Sequence, residues 1–137
     1  MCIRDSTTSG STDSYKRICC TQENLYFEAH NFVETIGLGA DDHLLCTIPL
    51  FHSYGLGNCL LDAAYTSAAL VLEADSESPF AARCHRVLEL LRAEGIGFYP
   101  GVPYQFEVLA SSPEDLRLSF QNVKWCISSG DEAKTSN

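Results

Sequence analysis

Positive charge is scarce in this chain. Nine lysines and arginines stand against 18 aspartates and glutamates, a net charge of −9, and the basic residues form no stripe. A nucleic-acid surface needs clustered cations to displace counterions, so nucleic acid is not an expected partner. Long hydrophobic runs are missing too. The longest, Ala63 to Leu72, is too short and too interrupted for a transmembrane segment. No apolar stretch near Met1 reads as a secretory signal. The seven cysteines form no C-x-x-C pair, and none of the four histidines stands at zinc spacing from one, so no residue is assigned to a metal. Several cysteines lie in apolar runs, where a free thiol behaves as a small hydrophobe. A reducing, cytoplasmic setting is the expectation. Two signatures are absent as well: the Gly-Lys-Ser/Thr ending of a Walker loop, and the G-x-S-x-G elbow of a serine hydrolase.

What is present is an alternation of helical and strand patterns over 137 residues, room for one domain. Apolar positions from Leu25 to Ile36 recur at helical spacing, with Thr21 as N-cap and Gly37 as the stop. Leu44 to Ile48 reads as a buried strand closed by Pro49, and Leu56 to Tyr65 as a helix. Ala68 to Leu72 is a second strand. Ser78 caps a helix with Pro79 in its first turn, and Gly95 ends it. Ile96 to Tyr99 is a strand, Pro103 to Ala110 a helix, and Val123 to Ile127 the last strand. Met1 to Ser6 has no strand character. The alternation predicts an α/β fold, a layered parallel sheet with crossover helices. In such sheets ligands bind beyond the carboxyl ends of the strands. Gly10, His52, Pro100-Gly101 and Gly130 fall at or near those junctions.

The run Thr8-Ser9-Gly10-Ser11-Thr12-Asp13-Ser14-Tyr15-Lys16 is rich in hydroxyls, hinged on glycine and closed by lysine. Backbone N–H groups and small hydroxyls in a turn hold an anion, and a lysine adds a point charge. On local evidence alone the run reads first as a plain Ser/Thr-rich loop. His52 taken singly also reads as a histidine satisfied by backbone, and Gly130 as a turn glycine.

The order of motifs resembles the adenylate-forming (AMP-binding) superfamily of acyl- and aryl-CoA synthetases, peptide-synthetase adenylation domains and luciferases. Thr8 to Thr12 with Lys16 match its phosphate loop in register. Pro49-Leu50-Phe51-His52-Ser53-Tyr54-Gly55-Leu56 is similar to its Phe-His motif, and Gly101-Val102-Pro103 with Leu109 to its Val-Pro segment. Ile127-Ser128-Ser129-Gly130-Asp131-Glu132 resembles the segment lining its adenine pocket. The resemblance implies ATP, Mg²⁺ and coenzyme A as cofactors of a full-length parent. Its other partners would be a small-molecule carboxylic acid and a thiol acceptor. Thr8, Ser9, Gly10, Ser11, Thr12 and Lys16 would hold phosphate, Lys16 and His52 would act in catalysis, and Ser129, Gly130, Asp131 and Glu132 would bind adenine. The Phe-His pair, in place of Phe-Asp, implies an acyl or aryl acid rather than an amino acid.

Departures from the family pattern cluster at the phosphate loop. Asp13 stands where the family has glycine, Tyr15 where it has proline, Arg17 where it has glycine, and Gln22 where it has histidine. A carboxylate about 4 Å from a phosphate charge costs about 1 kcal/mol in water and about 4 kcal/mol at an effective dielectric near 20. The resemblance also implies a fragment. Residues 1–6 read as a leader, a non-native origin left open, and residues 7–137 as part of an AMP-binding domain that is inactive alone. A degenerate, non-catalytic relative that keeps the fold for interaction is the competing reading.

Overall fold

A computed structural model describes the backbone of residues 2–8, 16–73 and 77–130, with side chains from residue 18 onward. An antiparallel hairpin comes first, β1 (Cys2–Thr8) and β2 (Lys16–Thr21), followed by α1 (Gln22–Ile36) and β3 (His43–Cys46). One helical stretch then runs through α2 (Ser53–Gly55), a π-helical turn (Leu56–Leu61) and α3 (Asp62–Thr66). β4 (Ala69–Leu72), α4 (Phe80–Ala93), β5 (Phe98–Gly101), α5 (Pro103–Ala110), α6 (Leu116–Ser119) and β6 (Trp125–Ser128) complete the order. The last four strands form one sheet, β4-β3-β5-β6, in which every neighbouring pair is parallel. The expected α/β class and parallel sheet are both present.

Local signals account for the helix ends. At α1 the Thr21 hydroxyl accepts from the Asn24 N–H at 3.1 Å, and Asn24 Oδ1 accepts from the Thr21 N–H at 3.0 Å. This reciprocal pair satisfies two donors that the helix leaves open. Gly37, at φ +68°, turns the chain out while its N–H still reaches the Val33 carbonyl at 2.9 Å. Pro103 starts α5, where its missing N–H costs nothing.

Successive residues of β3 serve opposite faces of the sheet. Leu45 packs with Val87, Leu88, Leu91, Ile96 and Tyr99 beneath α4. Leu44 packs with Val33, Leu38 and Phe98 under α1, and Cys46 with Ile48, Tyr54 and Cys59 under the π-helical turn. Each fully buried aliphatic or aromatic side chain contributes about 1.5–3 kcal/mol, so the α4 face carries most of the stabilisation.

Several expectations need correction. Cys2–Thr8 is a strand, although Met1 to Ser6 has no strand character in sequence; Arg4, Asp5 and Ser6 pair through backbone with Cys20, Cys19 and Ile18. Helix α4 begins at Phe80, with Pro79 rather than Ser78 at the N-cap. β5 starts at Phe98 and extends through Pro100 to Gly101, each paired with β6. The sequence reading did not include α6. Cys19 is disulfide-bonded, which a reducing setting does not lead one to expect, while Cys20, Cys46, Cys59, Cys84 and Cys126 are free. Among the described residues no helix is long and apolar enough to cross a membrane.

Candidate active site

Because β3, β5 and β6 run parallel, their carboxyl ends open on one edge, and the loop Thr47 to His52 folds over it. Gly55 makes that fold possible. A Cβ there would lie 2.5 Å from the Pro49 carbonyl oxygen, so only glycine lets the helix start this close to the loop. His52 caps the helix, its Nδ1 accepting from the Tyr54 N–H at 3.2 Å. That bond uses Nδ1 and leaves Nε2 free on an exposed ring. A cavity of about 230 Å³ lies against His52, walled by Ile48, Pro49, Phe51, Val102 and Gln105. A second, of about 240 Å³, shares Ile48, Pro49 and Phe51 as walls and reaches Leu72, Glu73 and Arg83. Phe51 is 82% exposed, an unusual position for a phenyl ring.

Two hydrogen bonds tie this loop to the strand ends. The Tyr54 hydroxyl donates to the Ile127 carbonyl at 2.8 Å, joining the Phe-His segment to the end of β6. Burial pushes Tyr54 up to about 12, so it remains a donor through the ordinary pH range. The Ser129 N–H donates to the Gly101 carbonyl at 3.2 Å, joining β6 to β5. Below them Gln105 Oε1 accepts from the Thr47 hydroxyl and the Val102 N–H, each at 3.2 Å. A buried amide with two donors fixes Val102, which lines the His52 cavity.

Gly130 holds φ +125°, a conformation closed to ordinary side chains. A Cβ there would sit 3.7 Å from Val102 Cγ1 and 3.8 Å from Pro103 Cδ, which is ordinary contact. The need for glycine is therefore conformational at this position, rather than a collision with those neighbours. Val102 stands between Gly130 and the His52 cavity.

The predicted site residues divide into three groups. His52, Ser129 and Gly130 share the carboxyl edge of the sheet. Thr8 and Lys16 are Cα partners in the pairing of β1 with β2. Ser9, Gly10, Ser11 and Thr12, with Asp13, lie outside the described residues, as do Asp131 and Glu132. Tyr54 and Gln105 were not singled out from sequence. Their roles depend on partners far along the chain, and Tyr54 carried a signal only as an unassigned position of the Phe-His motif.

Asp62 was also missed. It is 1% exposed, and its Oδ2 has no hydrogen-bond partner. Burial pushes it up to about 7, opposed by a hydrogen bond from Asn58 and reinforced by the Glu28 carboxylate. A cavity of about 580 Å³ lies away from all of these, between α4 and α5 beside His85, Tyr104 and Glu107. No sequence motif points to it.

Residues 7–136 match the AMP-binding enzyme family over nearly the whole chain. The chain belongs to that family. Among curated relatives it is 33% identical over 108 residues to the indoleacetate–CoA ligase of Aromatoleum aromaticum, covering 77% of this chain. It is 28% identical over 123 residues to the acyl-CoA ligase sidI of Aspergillus fumigatus, covering 90% of this chain. The chain spans about a fifth of the length of each, 20% in both cases. In fold it matches the inhibitor-bound N-terminal domain of FACL13 from Mycobacterium tuberculosis with a TM-score of 0.79 at 24% identity. That match covers 93% of this chain and 30% of the other. ATP-bound MatB from Rhodopseudomonas palustris matches at 0.77 and 20% identity, covering 90% of this chain and 23% of the other. The parallel sheet and its helices thus correspond to part of the N-terminal domain of the AMP-binding family.

Proposed function

We propose that this chain forms part of the site of an ATP-dependent carboxylic-acid ligase. That enzyme activates an acyl or aryl acid as acyl-adenylate and passes it to a thiol such as coenzyme A. The observation that carries the reading is the Tyr54–Ile127 hydrogen bond, which brings the Phe-His segment and the Ser-Gly segment to one edge. The names of the CoA-ligase relatives support the reaction class.

In the reaction a carboxylate oxygen attacks the α-phosphorus of ATP and pyrophosphate leaves; the thiol sulfur then attacks the acyl carbon and AMP leaves. Positioning and charge neutralisation are most of the work in the first step. Gly130 carries no side chain, which suits the approach of a flat purine. Asp131 and Glu132 continue that adenine segment in the proposal. His52 Nε2 stands free where the acid and adenylate would meet. Thr8, Ser9, Gly10, Ser11, Thr12 and Lys16 are proposed for the phosphates. Among the described residues no group of three ligating side chains could hold a metal ion. Residues 7–137 are proposed as the AMP-binding portion, and residues 1–6 as a leader. A cytoplasmic setting is proposed on the buried free thiols, with the Cys19 disulfide weighing against it.

The test is pyrophosphate exchange into ATP, driven by a panel of aryl and acyl acids, in a protein carrying this sequence within its full gene. Acid-dependent exchange lost in His52→Ala supports the ligase; no exchange with any acid favours the second reading. That second reading is a non-catalytic relative, favoured by Asp13 and Gln22 in place of the family residues.

A further inference from the structure

Charge is divided unevenly along this chain. Residues 18 to 82 contain no lysine or arginine, against nine aspartates and glutamates. Helices α1 and α3 both fall in that stretch. On α1, spacings of three and four residues link Glu23, Tyr26, Phe27, His30 and Glu34, which sets them along one side of the helix. Ala29 and Val33 turn into the core instead. Tyr26 and Phe27 are 52% and 50% exposed, and Tyr65 of α3 is 37% exposed. These rings are ordered against one another. Tyr26 and His30 lie parallel with centroids 6.1 Å apart, and Tyr65 stands edge-on to both at 5.5 and 5.9 Å. A hydrogen bond of 2.8 Å joins His30 Nδ1 to the Tyr65 hydroxyl across the two helices. We propose that this face of α1 and α3 is a docking surface for an arginine-bearing segment of another protein.

The chemistry of the face selects the partner. A guanidinium is flat, stacks on aromatic rings and pairs with carboxylates through a fork of N–H donors. Here the half-exposed rings supply the stacking surface, and Glu23 and Glu34 stand before and after them on the same side of the helix. Lysine is a compact, strongly hydrated point charge and gains less from such rings. Phosphates of nucleic acid and anionic lipid headgroups carry the same sign as the face and are repelled. The complementary cations have to come from the partner, because this stretch of the chain has none of its own. Rings already held by mutual contact lose little freedom on binding, which favours association. None of these six residues lines the cavity at His52, so the surface is separate from it.

The test is a nuclear magnetic resonance titration of the full chain with the peptide Gly-Arg-Gly-Arg-Gly and with its lysine and citrulline counterparts. Saturable shifts at Tyr26, Phe27, His30 and Tyr65 are expected with arginine, and weaker ones with lysine. Citrulline, which keeps the shape and loses the charge, should give none. Tyr26→Ala should weaken arginine binding about two- to fivefold, and Tyr26→Phe, which keeps the ring, should not. Asp41→Asn removes a carboxylate beside His43 and Lys124, off this face, and should leave the affinity unchanged. An equal loss in Asp41→Asn and Tyr26→Ala would reduce the binding to net charge and overturn the proposal. So would protection of Tyr26 and Tyr65 from nitration by tetranitromethane in the full-length gene product, since the protein's own chain would then cover the face.

Discussion

The two faces of the parallel sheet differ in kind. Under α4 lies one continuous apolar cluster, in which Val87, Leu88, Leu91, Ile96 and Tyr99 are wholly buried. Under α1 and the π-helical turn the core breaks into two smaller clusters. That second face buries the cysteines Cys46 and Cys59 and borders Asp62, a carboxylate with an unpartnered oxygen. It also carries the helical irregularity and the His52 loop. One face holds the larger apolar core, yet polar groups are buried on both: Arg83 of α4 has an Nε without a partner, as Asp62 has an Oδ2.

The largest effect should come from breaking the larger core. Leu88→Ala removes a fully buried side chain from the α4 cluster and should cost about 2–5 kcal/mol, read as a fall in urea midpoint. A smaller loss than that from Ile48→Ala on the other face would reverse that ranking.

The second effect is electrostatic and has a definite sign. Asp62 titrates at about 7 when folded against 3.8 as the reference value. The folded state therefore binds the proton more tightly, and its contribution is full below about pH 4. It is lost as pH rises to 7 and is level above. At about 1.4 kcal/mol per unit the loss is at most on the order of 4 kcal/mol. Denaturant melts from pH 4 to 8 should show this slope in the native chain and not in Asp62→Asn. The same slope in both would locate the titration elsewhere.

Tyr54→Phe removes one hydrogen bond and leaves the Ile127 carbonyl unmatched, at a cost of about 1 kcal/mol. Its sharper consequence would be faster amide exchange at Ser128 and Ser129, with the α4 face unchanged. The smallest expected effect concerns the phosphate loop. Asp13→Gly should tighten ATP binding, measured by titration calorimetry, because it removes a carboxylate from a run proposed to hold phosphate. Equal affinity in the two forms would remove that argument.

How much of this was legible in the chain depended on the range of the interaction. Thr21, Gly37 and Pro103 act within one helical turn, and their helices begin and end where the residues say. Strand β1 was hidden because its pairing is carried by backbone. Arg4, Asp5 and Ser6 leave no apolar alternation to read. The π-helical turn was read as ordinary helix, since Leu56, Leu60 and Leu61 fit either period. His52 and Gly130 were visible as members of motifs. Tyr54, whose partner lies 73 residues away, and Asp62, whose burial depends on its packing, carry no local signature.

The most direct test of the site is a nuclear magnetic resonance titration of this chain with AMP. The account predicts saturable shifts at Val102, Ser129, Gly130 and the amides around His52, with Val87 and Leu88 unmoved. Shifts confined to the larger cleft beside His85, Tyr104 and Glu107, or no saturable shift at all, would contradict it.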